Sequence, residues 1–329
     1  MAIHRSTVIS AIGALAIASI VVLLFASAFG NSSQHSTSDK GALSTGPSAS
    51  SPAHGVDLGL VAETVDSLRR IHTDSMDYAI PLAARPLLTV LKHRLRDLIS
   101  DVLRVEGSEA SPQQLQAKVI VDLRRFGVIV TEPACVIVDQ SYVDKGYDYG
   151  DIYDIAVKRP QYCFDLIAVT TTIGVCCGED TSLYIFKYED REWKLILASE
   201  ANDYELVSGA QGTFQFGVSW PDQSGSFFVV TASVNPWCSS NWQAITYRVL
   251  RPGPAPFEPR VLLSHTQSIW LGDEPPYRLE VCDDGLMLSF HDERYLELLN
   301  NGDEVRLDDP KGKRIIRYSV DGDSVRRRD

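Results

Sequence analysis

The spacing of hydrophobic positions changes three times along the chain. From Thr7 to Phe29, "TVISAIGALAIASIVVLLFASAF", they run almost without a break, with no charge and only Gly and Ser between them. At about 1.5 Å per residue the run is long enough for the roughly 30 Å hydrocarbon core of a bilayer. From about Leu58 the period becomes helical. From Val128 onward the chain breaks into short β-branched and aromatic runs separated by turn residues, the pattern of strands.

The helical part predicts three helices within 56–127. The first carries Val61, Val65, Leu68, Ile71 and His72 on one side and ends near Pro81. The second steps Leu88, Leu91, Leu95, Leu98 and Val102 at intervals of three and four, with Pro86 in its first turn. The third opens at Ser111-Pro112, an N-cap followed by a first-turn proline. It carries Leu115, Val119 and Leu123 and closes at Gly127. The Leu88–Val102 stripe either packs inside the protein or forms the seam of a coiled-coil homodimer.

The strand part contains an internal repeat. "VTTTIGVCCGEDTSLYIFKY" (169–188) aligns without a gap on "VTASVNPWCSSNWQAITYRV" (230–249), so that Cys177 meets Cys238 and Asp180 meets Asn241. Each copy has similar flanks, and a degenerate third copy follows. Strands open at "YDIAVKR", "FQFGVSW" and "YRLEVCD", and Asp321-Gly322 is a hairpin-turn signal. Repeats of about 150–203, 210–265 and 275–328 would each hold four antiparallel strands.

The expected fold class is therefore α+β. An N-terminal membrane helix and a three-helix segment precede a β region of three four-stranded repeats. A four-stranded sheet in tandem resembles a β-propeller blade, and the resemblance is one of architecture alone. Three blades are fewer than the four to eight that close a propeller, so either other elements complete the ring or the sheets stack without closing.

Targeting follows from the first fifty-five residues. Arg5 precedes the apolar run and no basic residue follows it until Lys40, which orients the remainder outward. A signal anchor over 1–30 is the preferred reading; Ala26-Ser27-Ala28 would serve as a cleavage site in the alternative. Residues 31–55, "NSSQHSTSDKGALSTGPSASSPAHG", hold almost nothing that could be buried and read as a flexible tether. Both alternatives carry the bulk of the chain out of the cytoplasm, membrane-anchored or secreted.

Net charge is −12, and residues 128–329 carry 19 basic and 32 acidic side chains. That balance argues against nucleic acid as a partner. All six cysteines (135, 163, 176, 177, 238 and 282) fall in the β part, as expected of disulfides in an oxidising compartment. A Cys177–Cys238 bond between equivalent loops is preferred; a vicinal Cys176–Cys177 bond is the rival.

Chemistry is sparse. The motifs of zinc proteases, serine hydrolases, phosphate loops and dinucleotide folds are missing from the sequence. No metal or cofactor is expected. The tract Asp139–Asp154 interleaves aspartates with tyrosines and reads as a solvated acidic loop, with Ca²⁺ as the sharper reading. The expected function is a non-catalytic binding or scaffolding module of the cell envelope. A rim bearing Trp237, Trp242, Asp180 and Asn241 beside the paired cysteines would take a protein or glycan. The alternative is an exported hydrolase that uses Asp or Glu with His265 or His291.

Overall fold

The computed structural model describes residues 57–73, 79–129, 147–161, 163–202, 204–236, 242–271, 275–292 and 313–328. The expected membrane helix (1–30) and tether (31–55) lie outside them. No helix among the described residues is long and apolar enough to cross a membrane.

Among the described residues the α-helices are α1 (Leu58–Arg69), α2 (Ala84–Glu106) and α3 (Pro112–Arg125). Their starts follow from local chemistry. The Asp57 carboxylate accepts from the Gly59 N–H at 2.9 Å. Ser111 and Gln114 form a reciprocal capping box ahead of Pro112. Gly127 follows α3 with φ 68°, a left-handed conformation that glycine adopts at no steric cost.

Among the described residues, twelve strands form three antiparallel sheets of four. Sheet 1 holds β1 (Ile152–Lys158), β2 (Leu166–Val175), β3 (Gly178–Glu189) and β4 (Glu192–Ser199). Sheet 2 holds β5 (Gly212–Val218), β6 (Val229–Val234), β7 (Trp242–Arg251) and β8 (Arg260–Trp270). Sheet 3 holds β9 (Tyr277–Val281), β10 (Gly285–His291), β11 (Lys313–Asp321) and β12 (Ser324–Arg328). Each is a meander in chain order.

Three apolar layers stack these elements. Val169, Ile167, Tyr184 and Phe186 of sheet 1 face the helices. Ala168, Leu183 and Ile185 face the other way, onto Phe227, Val229 and Leu250 at sheet 2. Val230, Ala232, Tyr247 and Val249 then meet Leu288, Phe290 and Ile316 of sheet 3. Sheet 1 is thus covered on both sides, which is why β2 is buried along nearly its whole length, threonines included, rather than alternating buried and exposed.

Two expectations are corrected here. The stripe Leu88, Leu91, Leu95, Leu98 and Val102 is at most 1 % exposed and belongs to the layer between helices and sheet 1. It is used up inside the molecule and cannot also be a homodimer seam. The gapless repeat match is also out of register. Val169 faces the helix side of its sheet, whereas its aligned partner Val230 faces sheet 3, away from the helices. A slip of one residue turns every side chain to the opposite face. The two hairpins differ in closure as well: β2 and β3 meet at Val175↔Gly178, β6 and β7 at Val234↔Ile245.

Edge strands are tied down by glutamines. Gln215 of β5 donates from Nε2 to the Tyr277 carbonyl at 2.9 Å and accepts the Leu279 N–H at Oε1, 3.0 Å. Its carboxamide serves β9 as a neighbouring strand would. The Gln116 side chain of α3 accepts the Val157 N–H of β1 at 3.3 Å.

Candidate functional site

The first strands of sheets 1 and 2 both bulge near their starts. In β1 the register shifts between Ile152 and Asp154, leaving Tyr153 as the extra residue. In β5 it shifts between Gly212 and Gln215, at Thr213 and Phe214. A bulge re-aims the side chain it carries. The Tyr153 ring is seated on β2 at Gly174, where a Cβ would come within 2.8 Å of its hydroxyl oxygen. Thr213 has φ 40°, and the Glu179 carboxylate accepts its N–H at 3.0 Å. That bond ties the second bulge to sheet 1.

Both aromatics line one trough of about 600 Å³ between β1 and β5. Ala156, Thr170 and Thr172 give it a floor of small residues, and Phe214 and Phe216 form the far wall. Lys158 and Arg159 stand at one end, with Lys158 Nζ 5.9 Å from the Phe216 ring centre. The Arg159 Nε is buried and has no hydrogen-bond partner. Asp154 and Glu179 lie toward the other end. Burial raises the Tyr153 phenol above its usual pKa, and the charges of Asp151 and Glu179 add to the rise.

Past Tyr153 and Glu179 the trough meets a second hollow of about 570 Å³ at the β2–β3 turn. Cys176 and Cys177 form that turn, and Cys177 takes φ 67°. Cys177 is disulfide-bonded, while Cys163, Cys176 and Cys282 carry free thiols. Cys176 Sγ lies 3.5 Å from Cys177 Sγ, so the vicinal bond is not made. Burial pushes the Cys176 thiol up; a hydrogen bond with Thr73 opposes this, and the Asp148 charge adds to it. A thiol held neutral is a poor nucleophile. Cys238, the preferred partner of Cys177, lies outside the described residues.

The expected rim fares unevenly. Asp180 is not on a surface at all. It is 0 % exposed, with its carboxylate 2.6 Å from Lys92 Nζ, and it accepts from the Tyr204 hydroxyl at 2.5 Å and the Gln211 N–H at 2.9 Å. Trp242 is half-buried and packs on Trp270, ring centres 5.3 Å apart. Trp237 and Asn241 lie outside the described residues. The structure therefore gathers Cys176 and Cys177 with Tyr153, Glu179 and Thr213, and sends Asp180 into the core.

Neither His265 nor His291 lines the trough or the hollow at the β2–β3 turn. His265 is exposed on β8 beside the Tyr247 ring, and His291 is fully buried at the end of β10. In the acidic tract, Asp148 accepts the Thr73 N–H at 2.7 Å and Asp151 pairs with Arg69 at 3.0 Å. Residues 139–146 lie outside the described residues, among which no group of three His, Cys, Asp or Glu could hold a metal ion. A hollow of about 800 Å³ between β8 and β11 is lined by Lys313, Arg314 and Arg327, but Arg314 is already paired with Asp292 at 3.4 Å.

The trough residues were missed by the sequence reading, although a signal existed. Tyr153 and Phe214 are separated by the same 61 positions as Cys177 and Cys238, and they open the segments "YDIAVKR" and "FQFGVSW". No protein-family model, curated protein or solved structure matches the chain.

Proposed function

We propose that the protein is a non-catalytic binding module of the cell envelope, and that its ligand lies in the trough between β1 and β5. The observation that carries this reading is the pair of bulges, which turn Tyr153 and Phe214 into one open trough beside Lys158 and Arg159. An aromatic wall with a few charged groups at its ends is the usual make-up of a small-ligand site. The volume, about 600 Å³, is in the range of such sites. The hydrolase alternative gains no support, since neither His265 nor His291 lines the trough.

The apolar run Thr7–Phe29 and the polar segment behind it would hold this module outside the cytoplasm on a tether. A half-cystine at Cys177 suits such a compartment. The three stacked meanders are read as blades of propeller type, with the helices covering the outer side of the first.

The test is capture by the full-length protein in detergent micelles on glycan and peptide arrays. A variant with Tyr153→Ala and Phe214→Ala should lose capture while keeping its thermal midpoint within a few degrees. Capture that survives both changes, with the fold intact, would remove the trough from the account.

A further inference from the structure

The trough has a charge pattern that selects among ligands. Asp154, Ala156 and Lys158 alternate along β1 and share the face that forms its wall, because alternate residues of a strand point the same way. Asp154 and Lys158 are four positions apart, which is about 13 Å along a strand. Glu179 reinforces the acidic end and Arg159 the basic end. No other charged side chain lines the trough between them.

Two features of the basic end call for an anion. Arg159 lines this end, and a guanidinium is well shaped for a carboxylate. Lys158 is exposed and stands near the Phe216 ring rather than against a carboxylate. At the acidic end Glu179 spends one oxygen on the Thr213 N–H, and Asp154 is exposed beside it. An acidic glycan would satisfy the first end and be repelled by the second. A chain with an ammonium at one terminus and a carboxylate at the other satisfies both.

Resting on the trough as the binding site, the geometry points to a short extended peptide with free termini, about four residues long, as the ligand. Its carboxylate lies at Lys158 and Arg159, and its amino group at Asp154 and Glu179. An extended tetrapeptide spans about 13 Å between its terminal charges, the separation set by β1. The aromatic wall of Phe214 and Phe216 accepts a side chain from the middle of the peptide.

The test uses the full chain in detergent micelles with Phe214→Trp as a fluorescent reporter in the trough, read as a difference from wild type. The probes are a tetrapeptide of three alanines and one phenylalanine, its C-terminally amidated form, its N-acetylated form, and a tetramer of galacturonic acid. The free tetrapeptide should shift the reporter saturably. Amidation or acetylation should each weaken binding about tenfold, the scale of one charge-assisted contact. Arg159→Met and Lys158→Met should bind the free and amidated peptides equally. Equal affinity for all three peptides in the reporter protein overturns the zwitterion assignment. A response to the galacturonate alone overturns the peptide while keeping the trough as a site. Silence toward every probe also overturns the peptide, and the trough itself is then decided by the array experiment on the Tyr153 and Phe214 variant.

Discussion

Lys92 Nζ of α2 sits 2.6 Å from the Asp180 carboxylate at the start of β3, and both side chains are almost completely buried. Around them Lys92 also donates to the Ala201 carbonyl at 2.9 Å and lies 4.8 Å from the Tyr204 ring centre. One helical turn on, Arg96 pairs with Glu200 at 3.1 Å, and Glu200 accepts from the Tyr184 hydroxyl at 2.7 Å. These contacts tie α2 to sheet 1 through charged groups as well as through apolar packing. Removing one member of a buried pair leaves an uncompensated charge, at about 3–5 kcal/mol. Lys92→Met should therefore lower unfolding stability by that amount in a urea titration. Adding Asp180→Asn should recover most of it, because the amide oxygen still accepts from the Gln211 N–H and the amide NH2 can donate to the Tyr204 hydroxyl, with no buried charge. A double variant as unstable as the single one would show that the pair acts through more than its charge.

The same network predicts how stability depends on alkaline pH. Tyr204 and Tyr184 are held well above the ordinary phenol value of 10.0, first by burial and then by the charges of Asp180 and Glu200. A phenol whose folded pKa is raised keeps its proton in the native state and releases it on unfolding. Its stabilising contribution is complete below pH 10 and shrinks as pH rises beyond it. The melting temperature should be flat on this account from pH 8 to about 9.5 and fall above pH 10, with part of the tyrosinate absorbance at 295 nm rising only on unfolding. Tyr204→Phe should flatten part of that fall, while costing about 1.5–3 kcal/mol at neutral pH for a lost hydrogen bond to the Asp180 carboxylate, whose oxygen keeps Lys92. Tyrosinate absorbance that is fully developed before unfolding begins would contradict the assignment.

Local patterns explain which parts of this structure the sequence disclosed. Caps and spacing announced α1 to α3, and "YDIAVKR", "FQFGVSW" and "YRLEVCD" fall on β1, β5 and β9. These signals are carried by neighbours in the chain. Asp180 was misread as a rim residue because its counter-ion, Lys92, comes from a helix far upstream, which no local pattern encodes. The repeat was visible but its register was not. A strand buried on both faces, as β2 is, offers no alternation of apolar and polar positions by which to tell one face from the other. Tyr153 and Phe214 drew no notice because a bulge shows only in strand pairing.

The cysteines give a covalent prediction. Gly178, next to Cys177, approaches Pro236 so closely that a Cβ there would lie 2.9 Å from the proline Cβ, and Gly212 also borders that ring. The β2–β3 turn of sheet 1 therefore abuts the chain two residues before Cys238. Non-reducing peptide mapping should recover a Cys177–Cys238 link. Cys282 should alkylate in the native protein, and the buried Cys163 only after unfolding. The bond would close a loop of about sixty residues, worth roughly 4 kcal/mol in the chain-entropy account. A Cys176–Cys177 peptide, or labelling of Cys177 without reduction, would refute the assignment.

Gly217 offers a test of what holds the trough's far wall. A Cβ at this position would lie 2.5 Å from Val281 Cγ2 and 2.8 Å from its Cβ, nearer than side chains approach without displacement. β5 and β9 can come this close only because residue 217 has no side chain, and the Gln215 bonds to β9 depend on that approach. Gly217→Ala should push the strands apart and cost about 1–3 kcal/mol, as over-packing does. Since Phe216 and Gln215 adjoin it on β5, the same change should weaken any ligand that contacts the aromatic wall. Val281→Ala removes the Cγ2 methyl that makes the nearest clash, though not the Cβ at 2.8 Å, and leaves a smaller core. The double variant should therefore be more stable than Gly217→Ala alone, giving a favourable coupling in a double-mutant cycle. Additive losses would mean that β9 does not brace β5 through this contact, and that the wall is held by Gln215 and the Glu179–Thr213 bond instead.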